Sequence, residues 1–303
     1  MDRYLNFFTD FGFKKVFGEE ANKDLLIDFL NEVIKSRDHI KLLTFKKNEQ
    51  LGGTETDRRA IFDLYCENER GEKFIIELQK IKQNFFKDRS LYYSTFPIQE
   101  QAKRGDWDFE LKAVYTVGIL DFIFDEDKNE PDKLLYEVKL VDTGSQKVFH
   151  DKLTFYYLEM PKFRKKEDEL ESHFDKWLYV IKHLPDLQSR PLKLQEKVFQ
   201  KLFNVAEIAK FTPDERMAYE DSLKYYRDLK NSLDTAREEG MKKGMEKGME
   251  KGMEKGIRIE RERGEKSLKE RLFSMAKAMK AEGVDIELIV KVTGLKKDEI
   301  KNL

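Results

Sequence analysis

Two short runs of alternating apolar and polar residues, Ile61–Glu67 and Lys73–Gln79, flank the turn-prone segment Asn68–Glu72, and they constrain the fold more than any other stretch. Alternation with a period of two is the signature of a strand with unlike faces, and two such runs joined by a Gly-containing turn predict a β-hairpin. A three-residue loop Glu69-Arg70-Gly71, with Gly71 in the left-handed conformation, sets a register in which Asp63 lies directly opposite Glu77. Phe62, Leu64, Cys66, Phe74, Ile76 and Leu78 then form one apolar face, while Asp63, Glu77 and Gln79 share the other.

Carboxylates directly across a strand pair repel by a few tenths to about 1 kcal/mol, so the arrangement calls for a cation or for protonation of one acid. A divalent ion with oxygen ligands, Mg²⁺ or Mn²⁺, suits a pair of carboxylates completed by water and substrate phosphate. The alternative is a solvent-exposed hairpin whose Asp and Glu both point into water.

The rest of the chain builds around this hairpin. Apolar residues at three- and four-residue intervals from Asp24 to Ile34 predict an amphipathic helix. Phe85–Arg104 reads as a helix bent or interrupted at Pro97, and Leu111–Phe122 as a strand buried on both faces. Two more strands, Leu134–Val141 and Val148–Leu158, precede helical stretches at about 166–184, 192–210 and 213–233. The 23 Phe and 12 Tyr argue for a packed core although 39% of residues are charged. The single cysteine, Cys66, excludes a disulfide framework and a thiolate metal site, and the four histidines lack ligand spacing. No basic apolar leader opens the chain and no run approaches the length of a membrane span, so a cytoplasmic location with no membrane partner is expected.

All prolines lie before residue 214, and the remainder reads as helical. Gly240–Gly256 repeats Gly-Met-(Glu/Lys)-Lys, placing Met241, Met245, Met249 and Met253 four residues apart. A period of four winds around a helix of 3.6 residues per turn, and each Gly weakens it by about 1 kcal/mol relative to Ala. This predicts a marginal helix or linker, or a weak self-association segment. Leu268–Glu282, Asp285–Val292 and Lys296–Ile300 have the spacing of a small helical bundle or of a helix-turn-helix. From Gly240 onward, 17 Lys+Arg face 12 Asp+Glu, leaving the acidic balance to the preceding residues. That asymmetry fits a basic tail beside a polyanion and an acidic body around a cation, or two ordinary solvated surfaces.

The run Phe62-Asp63-Leu64, followed fourteen residues after the Asp by Glu77-Leu78-Gln79, resembles the catalytic hairpin of PD-(D/E)xK nucleases. More closely, the chain resembles the Rpn-type recombination-promoting nuclease/putative transposase group. Thr9-Asp10-Phe11-Gly12-Phe13-Lys14-Lys15-Val16-Phe17-Gly18, Asp88-Arg89-Ser90-Leu91-Tyr92-Tyr93 and Tyr157-Leu158-Glu159-Met160-Pro161-Lys162-Phe163 add to the hairpin over roughly residues 1–235. The resemblance implies an α/β fold, a nuclease-like mixed sheet flanked by helices, followed by an all-helical tail. It implies a metal held by Asp63 and Glu77 and hydrolysis of phosphodiester bonds in DNA, in recombination or transposition.

One position departs from the superfamily pattern. Gln79 stands where a catalytic Lys is expected, and an amide orients water but neither titrates nor carries charge. Lys80 is adjacent, but strand alternation directs it to the opposite face, leaving Lys14 or Arg89 as substitute cations. Arg89 and Tyr93, one helical turn apart, are candidates to face the phosphodiester, with a helix packed on the sheet as the plain alternative. Asp10 and Lys14 share that spacing and form either a site contribution or a surface ion pair. The expected organisation is a nuclease-like core over 1–165, a helical extension over 166–235, the repeat over 236–266 and a small helical unit over 267–303. The rival functional classes are a nucleic-acid-binding protein on a decayed nuclease fold and a coiled-coil adaptor acting through its tail.

Overall fold

Gly71 adopts φ +77°, and the hairpin closes in the predicted register, with Leu64 opposite Ile76 and Cys66 opposite Phe74. In the computed structural model, residues 2–35, 38–50, 60–102 and 108–303 are described. Along the chain run helices α1 (Asp10–Phe13) and α2 (Lys23–Val33), strands β1 (Leu43–Phe45), β2 (Glu49–Gln50), β3 (Ala60–Ile61), β4 (Leu64–Asn68) and β5 (Lys73–Gln79), and helix α3 (Phe86–Gln99). Strands β6 (Val114–Leu120), β7 (Leu135–Val141) and β8 (Val148–Glu159) follow. Helices α4 (His173–His183), α5 (Lys197–Val205), α6 (Pro213–Ala281), α7 (Ile286–Thr293) and α8 (Lys297–Lys301) complete the chain.

Six strands form a mixed sheet in the order β1-β4-β5-β6-β8-β7. The hairpin β4–β5 is antiparallel, β5 runs parallel to β6 and β6 to β8, and β7 returns antiparallel to β8. On one face Leu64, Cys66, Phe74, Ile76 and Leu78 meet α2, α4, α5 and the N-terminal segment, in a core that includes Phe7, Phe13, Phe17, Phe29 and Trp177. Gly12 admits this packing because a Cβ there lies 2.2 Å from the Asn6 carbonyl oxygen. On the other face, α3 lays Tyr93 and Phe96 over Phe62, Tyr65 and Ile75. Every residue of β5 is consequently buried, and the face expected to be polar is covered by a helix.

Three expectations are corrected. Ile61 and Phe62 do not extend β4: Ile61 pairs with Glu49 in a separate two-stranded sheet, and Phe62 packs on the α3 face instead of beside Leu64. The chain bends between the two at Asp63, which breaks the alternation on which the face assignment rested. Secondly, Pro97 does not interrupt α3: it sits within the last turn, and the helix ends at Gln99, while Lys103 and Arg104 lie outside the described residues. Thirdly, the segment from 213 to 281 is one helix, so the repeat and Leu268–Ala281 belong to α6 and are not separate elements.

The segment Tyr157–Phe163 has a structural use. The side chains of Glu159 and Lys162 pair at 2.7 Å in complete burial at the end of β8. Glu159 also accepts from the Phe124 N–H at 2.7 Å, and Lys162 donates to the carbonyls of Asp127 and Lys133 and to the Tyr136 hydroxyl. The pair thereby fastens the connection from β6 to β7 against the sheet.

The chain divides into two compact units, Met1–Leu229 and Lys230–Leu303. Within the second, Ala276, Ile289, Leu295 and Ile300 form a small core, and Gly294 ends α7 in the left-handed conformation. Among the described residues no helix is long and apolar enough to cross a membrane.

Candidate active site

The bend at Asp63 is built by hydrogen bonds. Phe62 N–H donates to the Asn48 carbonyl at 2.9 Å, and the Asn48 amide donates to the Asp63 carbonyl at 2.9 Å. Because β4 begins only at Leu64, the Leu78 N–H on β5 has no strand partner opposite it; the Asp63 carboxylate takes that place, accepting at 2.7 Å. The Asp63 N–H in turn donates to Glu77 Oε1 at 3.3 Å, and the Gln79 amide donates to Glu77 Oε2 at 3.3 Å. Asp63, Glu77 and Gln79 therefore converge at one end of the sheet. Asn48 carries no sequence signal of its own; its role follows only from the bend.

Burial raises the Asp63 pKa, opposed first by the Leu78 N–H; the charge of Asp10 adds to the rise, and Lys14 and Lys80 oppose it. Burial, and then the charge of Asp63, pushes Glu77 up to about 8, against the pull of Arg89. Burial thus raises both acids, and the charge of Asp63 adds to the rise of Glu77. With Glu77 only 5% exposed, water does not supply the screening.

A family model for "PD-(D/E)XK nuclease family transposase" matches residues 7–236, three-quarters of the chain and the whole of the sheet. The chain belongs to this family. No curated protein and no solved structure matches it significantly.

The PD-(D/E)XK nuclease family assignment bears on the position two residues after the glutamate, where Gln79 stands at 9% exposure beside Glu77. Lys80 follows Gln79 directly, one residue beyond β5. Its charge acts on Asp63 and Asp10, the latter on the N-terminal segment that packs against the Leu64, Ile76 and Leu78 face. Burial lowers the Lys80 pKa, those two carboxylates oppose the fall, and its Nζ lies 5.9 Å from the centre of the Tyr225 ring. Asp10 and Lys14 form an ion pair at 3.1 Å, half exposed, on the wall of a cleft of about 380 Å³ that also takes in Asn48 and Leu64.

Arg89 and Tyr93 serve the packing of α3. The Tyr93 ring meets Phe62 edge-on at 5.5 Å, and the Arg89 guanidinium lies 5.2 Å from the Phe86 ring and 5.7 Å from that of Tyr93 while donating to Gln83. The charge of Arg89 still acts on Glu77.

Among the described residues no three His, Cys, Asp or Glu side chains converge as a metal cage. Two carboxylates in mutual repulsion are nevertheless a fitting donor set for a hard ion that keeps most of its water, as Mg²⁺ and Mn²⁺ do, and a poor one for zinc.

Proposed function

We propose that the chain is a Mg²⁺- or Mn²⁺-dependent endonuclease that hydrolyses DNA phosphodiester bonds in recombination or transposition. The observation that carries this reading is the pairing of half-buried Asp63 with buried Glu77, with Glu77 pushed up to about 8 and oriented by backbone and amide donors. A divalent ion bound there supplies Lewis-acid polarisation of the phosphoryl oxygen and acidification of a water.

The protein's own groups do the positioning. Asp63 and Glu77 are the ligands, fixed by the Leu78 N–H and the Asp63 N–H. The Gln79 amide, restrained by Glu77, orients the attacking water, and Lys80 and Lys14 supply the positive charge that Gln79 lacks. Arg89 biases Glu77 toward its ionised form.

In this reading residues 1–165 carry the chemistry, 166–235 extend the core, and the repeat 236–266 with the helical unit 267–303 form a cytoplasmic protein's basic tail for DNA retention or homo-oligomerisation. Met241, Met245, Met249 and Met253, all strongly exposed, support the last role. Gln79 favours one rival, a DNA-binding protein with a weakened site. Titration of Mg²⁺ and Mn²⁺ against cleavage of plasmid DNA by the purified chain separates the two: saturable, chelator-sensitive cleavage supports the nuclease, and metal-independent binding without cleavage supports the rival.

A further inference from the structure

Strand β7 is an edge of the six-stranded sheet, and no described strand lies beyond it. The opposite edge, β1, spans three residues, whereas β7 spans seven, a length that ordinarily requires protection against pairing with another chain. Its surroundings are unusually apolar for an edge. Val138, Leu140 and Val141 on β7 and Val148 and Phe149 on β8 are all exposed, Phe149 to 81%.

The direction of the backbone follows from one bond. The Glu159 N–H donates to the Leu134 carbonyl at 2.9 Å, so even-numbered residues of β7 turn their backbone groups toward β8. Glu137 and Lys139 therefore turn theirs away from β8, along the open edge.

The sequence Leu135-Tyr136-Glu137-Val138-Lys139-Leu140-Val141 is complementary to itself when reversed about Val138. An antiparallel partner centred there sets Glu137 against Lys139 of the second copy, Tyr136 against Leu140 and Val138 against Val138. A shift of two residues in either direction sets Glu137 against Glu137 or Lys139 against Lys139, and a shift of one residue exchanges the faces. Within one chain Glu137 and Lys139 already pair at 2.6 Å and Tyr156 donates to Glu137 at 3.0 Å, so a second copy closes an alternating square of four charges. The register of β7 against β8 becomes irregular only after Lys139, which limits the ladder to about Tyr136–Leu140.

We infer that β7 is a homodimer interface, pairing antiparallel with β7 of a second copy about Val138 and joining the two sheets into one. This goes beyond the nuclease reading and does not depend on it.

Cross-linking in the full chain tests the register. Val138→Cys places two thiols on the two-fold axis at a non-hydrogen-bonded pair, within disulfide reach, and the native Cys66 is buried and contributes no background. With oxidised glutathione, Val138→Cys is expected to yield a covalent dimer and Leu140→Cys to yield far less. Adding Glu137→Lys to Val138→Cys is expected to cut the yield at least tenfold, and adding Lys139→Glu as well to restore it, which excludes misfolding as the cause. A Val138→Cys chain that stays monomeric, links no better than Leu140→Cys, or links equally with Glu137→Lys overturns the proposal, including when the chain is dimeric through its tail alone.

Discussion

Asp63 and Glu77 are each oriented by backbone at the other's position: the Asp63 N–H donates to Glu77 Oε1 at 3.3 Å, and the Asp63 carboxylate accepts from Leu78, the residue after Glu77, at 2.7 Å. The acids are thus held together by backbone geometry and pushed apart by charge, and the proposed divalent ion would relieve this opposition.

The repulsion predicts that the metal-free protein gains stability when one charge is removed. Glu77→Gln mimics the protonated acid and is expected to stabilise the metal-free chain at pH 7 by on the order of 3 kcal/mol, each pKa unit between 4.5 and 7 corresponding to about 1.4 kcal/mol. The native state binds the Glu77 proton more tightly than the unfolded chain. The stability this proton contributes is complete below about 4.5 and is lost as pH rises toward about 8. Melting temperature of the metal-free parent should therefore fall relative to Glu77→Gln across that window, and Mg²⁺ protection should grow across it because the ligands must be ionised. A parent that gains on the variant as pH rises contradicts the electrostatic account.

The proposed mechanism gives Gln79 the orienting of water and not the holding of metal. Gln79→Ala is expected to slow cleavage by roughly ten- to a hundredfold while leaving the Mg²⁺-induced rise in melting temperature nearly intact. Loss of that rise together with activity makes Gln79 part of the ligand set.

The hairpin was legible in the sequence because Gly71 and the alternation from Leu64 to Leu78 independently point to one register. The bend at Asp63 was not, since Phe62 continues the apolar alternation while Asn48, a residue distant along the chain, holds the bend by hydrogen bonds. In the tail, the five glycines of the repeat pointed to a marginal helix or linker, yet a Cβ added to any of Gly240, Gly244, Gly248, Gly252 or Gly256 meets nothing within 4 Å, so neither a turn nor a close approach accounts for them.

The Glu159–Lys162 pair is predicted to act on stability and not on chemistry. Lys162→Met leaves a buried carboxylate without its cation and is expected to cost about 3–5 kcal/mol, measured by urea denaturation. Glu159→Gln with Lys162→Met should recover part of the loss. A cost below about 1 kcal/mol refutes the fastening role.

Ending the chain at Asp234 removes the repeat and the small helical core of Ala276, Ile289, Leu295 and Ile300. The shortened chain is expected to stay soluble and to cleave, with a smaller salt slope of DNA binding or a lower mass in solution. Insolubility contradicts the modular reading, and unchanged mass and salt slope leave the tail without either role.

The most direct test of the central claim compares the parent with Asp63→Asn for plasmid cleavage in Mg²⁺ and for melting with and without Mg²⁺. The account predicts that the variant folds, melts no lower than the parent without metal, gains little from Mg²⁺ and loses cleavage by at least a hundredfold. Cleavage equal to the parent's, or equal protection of both chains by Mg²⁺, places the active site elsewhere.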